Sequence, residues 1–334
     1  MITEMLSDPN WIAPQIDYLV WLENIRLQFG GPGLDKFFMS LTRMGEITIP
    51  TLIICLIYWC FDSMAGMYLF SLNAFTLMFA QFFKMIACVY RPWILSDKVH
   101  PVGVAFGSAG GYSFPSGHSA GVSSTIGGMA YVFRKNKVAC ILLILFCLMV
   151  GFSRNYLGVH TPQDVIVGLS IGLIMIFAVS ALIKWCEKNK NRYLYVLAVV
   201  DVLLIFMQLY IFNKSYPMDY VNGKLLVNPN KYIYISMIYF GWVPGLLNGA
   251  FLCRRFWPFD AKQGDKITRA IRGFVGLLIA YALLHVVDVH FWPHYNDYKL
   301  TFAVLFSTGF FITAIYPAMF LAIENFVAQV RAKS

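Results

Sequence analysis

The stretch VIVGLSIGLIMIFAVSALI, residues 165–183, contains no charged side chain and decides the fold class. At about 1.5 Å per residue, a helix of this length crosses the roughly 30 Å hydrocarbon core of a bilayer. Of the 334 residues in the chain, 59% are hydrophobic and 13% are charged. Because soluble domains carry about 25% charged residues, the sequence predicts an integral membrane protein.

Similar apolar stretches recur along the chain, so the sequence predicts an all-α, polytopic bundle of about nine transmembrane helices. The strands of a transmembrane barrel would instead alternate apolar and polar residues over about ten positions. The predicted spans cover residues 45–61, 65–88, 118–133, 138–152, 165–183, 194–213, 233–252, 273–292 and 301–325.

Basic residues cluster after every second predicted span. They lie in residues 134–137, 184–192, 254–272 and 331–333, whereas the connections between these clusters carry fewer lysines and arginines. Because basic loops stay in the cytoplasm, we expect the amino terminus outside and the carboxyl terminus inside. The net charge of +9 then reflects membrane topology, and no nucleic-acid partner is expected.

The amino-terminal segment, residues 1–44, differs from the spans that follow it. Trp11 and Trp21 stand among charged residues, which is typical of one or two amphipathic helices at the membrane interface. The sequence GGPG at residues 30–33 predicts a break between them. An extramembrane cap would fit this pattern equally well.

Two cations stand near the outer end of the second predicted span. Lys84 and Arg91 are about two helical turns apart and share a helix face, and Pro92 ends the helix. Snorkelling to the interface would explain Arg91. Lys84 lies about 10 Å deeper, where a cation needs a partner or a cavity.

The third predicted span begins in GYSFPSGHSA, residues 111–120. Pro115, Ser116, Gly117 and His118 predict a tight turn into a helix, where backbone N–H groups and a serine hydroxyl can face an anion. Ser116 could equally be a plain helix cap. His118 could be an interfacial anchor, a buried polar contact or a chemical group of the site.

A third polar group lies between the fourth and fifth predicted spans. Arg154 ends one span, His160 follows it, and TPQD at residues 161–164 is typical of a helix start. Asp164 is therefore expected to cap that helix. It also lies one turn from His160, close enough for a hydrogen bond between carboxylate and imidazole.

The expected topology places all these helix ends on the outer face, where three cations, two histidines and one carboxylate can meet. Three cations with backbone donors match a phosphate dianion. One histidine can attack phosphorus while a carboxylate orients it, and the other can donate a proton to the leaving group. The carboxylate clusters of two-metal phosphatases are missing from this side of the sequence, so no metal or other cofactor is required.

The pattern resembles the three-part signature of the type 2 phosphatidic acid phosphatase superfamily. This superfamily includes lipid phosphate phosphatases, undecaprenyl-pyrophosphate phosphatases, glucose-6-phosphatase and vanadium haloperoxidases. All eleven fixed positions match, in order, over about 80 residues: Lys84-x6-Arg91-Pro92, Pro115-Ser116-Gly117-His118 and Ser153-Arg154-x5-His160-x3-Asp164.

The resemblance implies a role for each matched residue. His160 would be the nucleophile that forms a phosphohistidine, Asp164 would orient it, and His118 would be the acid for the leaving group and then the base for water. The phosphate would be held by Lys84, Arg91, Ser116, Gly117 and Arg154. The resemblance also implies a six-helix phosphatase core over residues 45–213, which leaves residues 214–334 as an additional three-helix segment.

Several functions fit this reading. The first is a phosphatase that hydrolyses a membrane lipid phosphate or pyrophosphate, such as phosphatidate or undecaprenyl pyrophosphate, at the extracytoplasmic face of a bacterial inner membrane. A lipid phosphotransferase on the same fold and an anion transporter are alternatives. A soluble sugar-phosphate phosphatase is another, because the nine-span topology is similar to that of glucose-6-phosphatase.

The eighth predicted span holds a further group of polar residues, His285, Asp288 and His290, with His294 beyond it. A metal site is one interpretation. However, His290 would point about 140° away from the face that His285 and Asp288 share. We therefore expect polar contacts between helices at this position.

Overall fold

The computed structural model describes residues 2–189, 191–287 and 297–333, and nearly all of this part of the chain is helical. Its strands, β1 (Tyr220–Val221) and β2 (Lys224–Leu225), pair as one antiparallel hairpin. The helices are α1 (Ile2–Leu6), α2 (Pro9–Ile25), α3 (Gly31–Thr42), α4 (Thr48–Leu56), α5 (Ser63–Ala87), α6 (Pro92–Leu95), α7 (Gly117–Val122), α8 (Gly128–Val132), α9 (Lys137–Tyr156), α10 (Pro162–Glu187), α11 (Arg192–Asn213), α12 (Pro229–Phe256), α13 (Lys266–Val286), α14 (Tyr298–Phe310) and α15 (Tyr316–Lys333).

Seven helical runs among the described residues are long and apolar enough to cross a membrane, which confirms the all-α membrane fold. Each of them contains or overlaps one predicted span, although residues 288–292 of the eighth predicted span lie outside the described residues. The runs are Ser63–Leu95, Lys137–Tyr156, Pro162–Glu187, Arg192–Asn213, Pro229–Phe256, Lys266–Val286 and Tyr298–Val327.

The two other predicted spans, residues 45–61 and 118–133, form shorter helical segments. Residues 48–61 meet the preceding run Pro9–Gly45 at 56°, and counting this bent pair as one span raises the number of candidate spans in the described chain to eight. Residues 117–132 form one helical run through α7, a wider π-helical turn at Ser123–Gly127 and α8. This run is short because Ser116 caps its start, accepting a hydrogen bond from the Ser119 N–H, and a turn follows Val132.

The chain forms two compact units, and each unit is assembled from three separate segments of sequence. The first contains Met1–Pro50, Thr76–Phe177 and Met207–Ser236. The second contains Thr51–Phe75, Ala178–Phe206 and Met237–Ser334.

The core of the first unit lies where α3, α7 and α9 pack together. Apolar side chains from these helices and from the turns beside them are buried there, among them Phe38, Leu41, Val122, Val150 and Leu157. Such burial contributes about 25 cal/mol per Å² of apolar surface. This packing holds the carboxyl end of α9 beside the amino end of α7.

The amino-terminal helices pack on the same unit through one face. Ile12, Ile16 and Leu19 of α2 are buried against Val99, whereas Trp21 is 56% exposed. Gly31 has a φ of +64°, a left-handed conformation that favours glycine, and it separates the helical run through α2 from α3. The chain thus breaks inside the predicted GGPG sequence.

The second unit contains a buried cation at the start of α13. The guanidinium of Arg272 donates to the Trp59 carbonyl at 2.9 Å and pairs with the Glu324 carboxylate. The Trp59 indole in turn donates to the Ile312 carbonyl at 3.1 Å. Because a buried charge is costly without partners, these contacts tie the start of α13 to the turn after α4.

Gly168 of α10 lets that helix approach the turn before α7 closely. A Cβ at this position would lie 2.5 Å from the Ser116 carbonyl oxygen and 2.9 Å from the Ser119 Cβ. Both atoms belong to rigid parts of the chain, so an added methyl group would force backbone to move.

We expect Gly168→Ala to lower the unfolding temperature of the protein, because overpacking of this kind costs about 1–3 kcal/mol. Gly127→Ala is the matched control, since a Cβ there would lie 3.4 Å from the flexible end of Ile176, an ordinary contact. Thermal unfolding in detergent, followed by tryptophan fluorescence, measures the difference. Equal unfolding temperatures for the two variants would contradict the close approach.

Candidate active site

The eight residues that the sequence predicts for the site lie together in the first unit. They belong to the ends of α5 and α9, to the starts of α7 and α10, and to the turns beside these helices. The 133–136 turn lies at the other end of α9. The structure therefore brings the three separate parts of the pattern to one place.

His160 is buried in the turn between α9 and α10, with 1% of its surface exposed. Its Nε2 lies 2.8 Å from Arg91 Nη1, and its Nδ1 lies 3.4 Å from Asp164 Oδ2. Because a guanidinium only donates, Nε2 accepts and Nδ1 carries the proton that faces the carboxylate. The Nε2 lone pair is therefore the reactive one.

Burial holds the pKa of His160 well below its usual range, and the charges of Arg91, Arg154 and Lys84 lower it further. His160 lies outside the membrane-spanning helices, in the turn before α10. The imidazole is therefore neutral at physiological pH, and its contact with Asp164 is a hydrogen bond to a carboxylate and not an ion pair of two charged groups. A neutral imidazole is the form that can act as a nucleophile.

Asp164 makes both of the contacts that the sequence predicts for it. Its Oδ2 accepts from the Thr161 N–H at 2.8 Å, as a carboxylate at a helix start does, and from the Ser113 hydroxyl at 2.6 Å. The same oxygen faces His160 Nδ1. One oxygen of Asp164 thus bonds the backbone at the helix start and also faces the imidazole of His160.

Arg91 is buried and is held mainly by backbone. Its donors reach the carbonyls of Gly110 at 2.8 Å, Gly111 at 3.2 Å and Val159 at 2.9 Å, besides the contact with His160. These carbonyls fix the guanidinium directly beside His160 Nε2. A phosphorus atom approaching Nε2 would therefore bring its oxygens against Arg91.

Lys84 has the partner that its depth in the second predicted span requires. Its Nζ donates to the carbonyls of Tyr112 at 3.0 Å, Ser113 at 3.0 Å and Pro115 at 2.7 Å. An ammonium group has three protons, and these three carbonyls use all of them. In this arrangement Lys84 holds the turn before Ser116 and contributes its charge to the site from a distance.

Arg154 is completely buried and differs from the other cations in its contacts. Its Nη1 donates to the Thr42 hydroxyl at 2.7 Å. Its Nε and Nη2 are buried and have no hydrogen-bond partner among the described residues. A buried guanidinium with unpaired donors is costly, and an anion with several oxygens is the ligand that satisfies it.

The turn into α7 places Ser116, Gly117 and His118 beside these cations. The Ser116 N–H donates to the Asp164 backbone carbonyl at 2.9 Å, and its hydroxyl accepts from the Ser119 N–H and hydroxyl. Gly117 is the first residue of α7, so its N–H is one of the helix donors without an intrahelical acceptor. His118 Nε2 is buried and has no hydrogen-bond partner in the described part of the chain.

Four residues contribute to the site although the sequence pattern does not include them. Ser113 bonds Asp164, Thr42 bonds Arg154, Asn155 donates to the His160 carbonyl at 2.9 Å, and Glu46 lies 4.0 Å from His118 Nε2. Ser113 stands inside the stretch 111–120, and Glu46 is a charge at the edge of an apolar span. These two features of the sequence could have pointed to Ser113 and Glu46, whereas nothing in the sequence marked Thr42 or Asn155.

Of the further group of polar residues in and just after the eighth predicted span, the structure describes only His285. His285 stacks on Tyr281 with ring centroids 5.9 Å apart. Asp288, His290 and His294 lie outside the described residues. Among the residues that the structure describes, no three histidine, cysteine or acidic side chains come close enough to hold a metal ion.

Comparison with known families identifies two matching regions. Residues 65–188 match the PAP2 superfamily, and residues 237–328 match the transmembrane extension of PAP2 superfamily phosphatases. The first region contains every position of the three-part pattern, whereas Thr42 and Glu46 lie before it. No solved structure matches the chain.

Three curated bacterial proteins illustrate the similarity. Phosphatidylglycerophosphatase B of Bacillus subtilis is 28% identical over 173 residues, which cover 48% of this chain and 79% of that protein. Lipid A 1-phosphatase of Rhizobium etli is 35% identical over 115 residues, 33% of this chain and 47% of the relative. Undecaprenyl-diphosphatase BcrC of Bacillus subtilis is 35% identical over 96 residues, 28% of this chain and 46% of the relative.

For the last two relatives the chain thus spans about half of their length. All three are phosphatases by name, and the two matched regions belong to one superfamily. The chain is a member of the PAP2 superfamily, with the superfamily domain followed by the phosphatase-type transmembrane extension.

Proposed function

We propose that the protein is an integral-membrane phosphatase that hydrolyses a lipid phosphate at the extracytoplasmic face through a phosphohistidine on His160. The observation that carries this proposal is the neutral, carboxylate-oriented His160 beside two buried guanidiniums, one of which has unpaired donors. The named relatives act on phosphatidylglycerophosphate, lipid A and undecaprenyl diphosphate, all of which are membrane lipids. Inorganic phosphate and a lipid alcohol would be the products of a monoester.

In the first step the Nε2 lone pair of His160 attacks phosphorus. Arg91 gives up its contact with Nε2 and donates to one phosphate oxygen instead. Arg154 donates to the other phosphate oxygens through Nε and Nη2. The bond from phosphorus to the bridging oxygen breaks, and its electron pair leaves with that oxygen. His118 enters this step protonated, the state that the Glu46 carboxylate and the bound phosphate dianion favour, and it gives its proton to the oxygen, so that an alcohol departs and the phosphoryl group stays on His160.

In the second step water replaces the lipid alcohol. His118, now neutral, accepts a proton from the water while the water oxygen attacks phosphorus. The N–P bond breaks, its electron pair returns to Nε2, and phosphate is released. Asp164 accepts a hydrogen bond from Nδ1–H throughout, which stabilises the charge that develops on the imidazole.

For topology we infer nine spans, with residues 45–61 and 117–132 as the two short ones. The site lies at the end of α9 opposite to the basic turn Arg134–Lys137, and basic turns stay in the cytoplasm. The amino terminus and the site would then face outward and the carboxyl terminus inward, in a bacterial cytoplasmic membrane. Residues 45–213 would form the phosphatase core, and residues 214–334 an additional three-helix segment.

The first test is phosphate release by purified protein in detergent, with EDTA present, from phosphatidylglycerophosphate, phosphatidate, undecaprenyl diphosphate and glucose 6-phosphate. We expect release from at least one of the lipids, and a loss of about a thousandfold or more in His160→Ala. His100→Ala is the matched control, because His100 is exposed and contacts Glu23.

No release from any ester, or equal release by His160→Ala, would contradict the proposal. Release from glucose 6-phosphate alone would assign a soluble substrate. Transfer of phosphate to an added lipid alcohol in place of its release would assign a phosphotransferase.

The role of His118 is tested by the leaving group. We expect His118→Ala to lose most activity on an alkyl phosphate, whose alkoxide needs a proton, but to form a phosphoenzyme still from an aryl phosphate, whose leaving group departs without one. Rapid quenching with radiolabelled substrate measures both rates. If the variant forms no phosphoenzyme from either substrate, His118 is not the leaving-group acid.

Ser113 acts through Asp164 and is therefore proposed as a positioning residue. Its hydroxyl donates to Asp164 Oδ2 at 2.6 Å and lies 3.3 Å from His160 Nδ1. We expect Ser113→Ala to lower kcat about tenfold with little change in KM, because it loosens the carboxylate that orients His160. In an Asp164→Asn background the same substitution should have almost no further effect. Additive losses in the double variant would show that Ser113 acts independently of Asp164.

A further inference from the structure

Glu46 is an acidic residue of the site that the three-part pattern lacks. It lies in the turn between α3 and α4, and its Oε1 is 4.0 Å from His118 Nε2. The Glu46 side chain is 42% exposed and that of His118 15% exposed. The partly exposed carboxylate thus lies next to the histidine proposed to protonate the leaving group.

Backbone packing fixes the position of this carboxylate. A Cβ at Gly45 would lie 2.6 Å from the His118 carbonyl oxygen, and a Cβ at Gly121 would lie 2.7 Å from the Gly45 carbonyl oxygen. Two glycines therefore allow the turn before α4 to contact α7 directly. This packing places Glu46, the residue after Gly45, beside His118. The position of the Glu46–His118 pair is therefore set by backbone packing and not only by the conformation of a flexible side chain.

The cations around Glu46 do not cancel its negative charge on the side where the leaving group departs. While it holds its proton, His118 is the nearest of the cations whose charges act on Glu46, and the others are Arg43, on the same turn, and Arg154. His118 loses its charge when it gives up its proton. Arg43 is exposed, so solvent and salt screen it. Arg154 is the cation with unpaired donors, which the phosphate engages in the proposed mechanism.

Resting on the function proposed above, we infer that Glu46 makes the enzyme prefer phosphomonoesters, whose leaving group is an alcohol, over diphosphates, whose leaving group carries a phosphate. The bond to the bridging oxygen breaks in both reactions, and that oxygen takes the His118 proton. The alcohol that results is neutral. The departing phosphate keeps at least one negative charge and forms beside His118, so the Glu46 carboxylate a few ångströms away repels it.

Glu46 also lies just before α4, where a carboxylate stabilises a helix start. That structural role would affect the folding of the protein and all substrates alike. Only an effect on the leaving group would change the ratio of the kcat/KM values for two substrates that share one lipid chain. The ratio therefore separates the two roles.

The test compares farnesyl phosphate with farnesyl diphosphate in the same detergent, by phosphate release and kcat/KM. We expect the wild type to prefer the monophosphate by at least about tenfold, and Glu46→Gln to shift the ratio by about tenfold toward the diphosphate. Glu46→Asp should keep the wild-type preference. Glu23→Gln, which changes an acid that contacts His100 and Arg26, is the control and should leave the ratio unchanged.

An unchanged ratio in Glu46→Gln, with both substrates slowed equally, would overturn this inference and leave the proposed function intact. A wild-type preference for the diphosphate would also overturn it, and that measurement needs no variant to fold. Absence of release from both substrates and from every other lipid phosphate would instead overturn the proposed function itself.

Discussion

The site depends on how two buried guanidinium groups, Arg91 and Arg154, are compensated. A buried charge without partners costs several kcal/mol, so each donor needs an acceptor. Arg91 finds acceptors in three backbone carbonyls and one imidazole nitrogen, whereas Arg154 keeps two donors unpaired. The first arrangement fixes Arg91 beside His160, and the second leaves donors that an anion could satisfy. In the proposed mechanism, a phosphate supplies the acceptor oxygens that Arg154 lacks.

The contacts of Lys84 differ from the direct phosphate binding that the sequence pattern implies for it. Lys84 donates all three of its protons to the turn at residues 112–115, and that turn carries Ser113 to Asp164 and Ser116 to the start of α7. Lys84 therefore shapes the site and adds to its positive potential without being free to grip the phosphate directly. Preorganised charges of this kind cost no rearrangement during the reaction, which is why they are effective in catalysis.

Hydropathy was sufficient for the fold class, because a run such as residues 165–183 has no other stable environment than a bilayer or a buried core. It was insufficient for the count of spans, since residues 117–132 are shortened by a cap and a turn that hydropathy does not detect. The spacing of Lys84, Arg91, His118, Arg154, His160 and Asp164 located the helix ends at which these side chains meet. Thr42, Glu46, Ser113 and Asn155 escaped prediction because their roles arise from contacts through space, such as that between Thr42 and Arg154.

In the proposed mechanism, His160 Nε2 and the unpaired donors of Arg154 meet on one phosphoryl group. The most direct measurement is a structure of the protein with orthovanadate, which imitates the five-coordinate phosphorus of the transition state. We expect vanadium bonded to His160 Nε2, with vanadate oxygens within hydrogen-bond distance of Arg154 Nε and Nη2 and of Arg91. Vanadate bound elsewhere, or bound to His160 while Arg154 keeps these donors turned away from it, would contradict this mechanism.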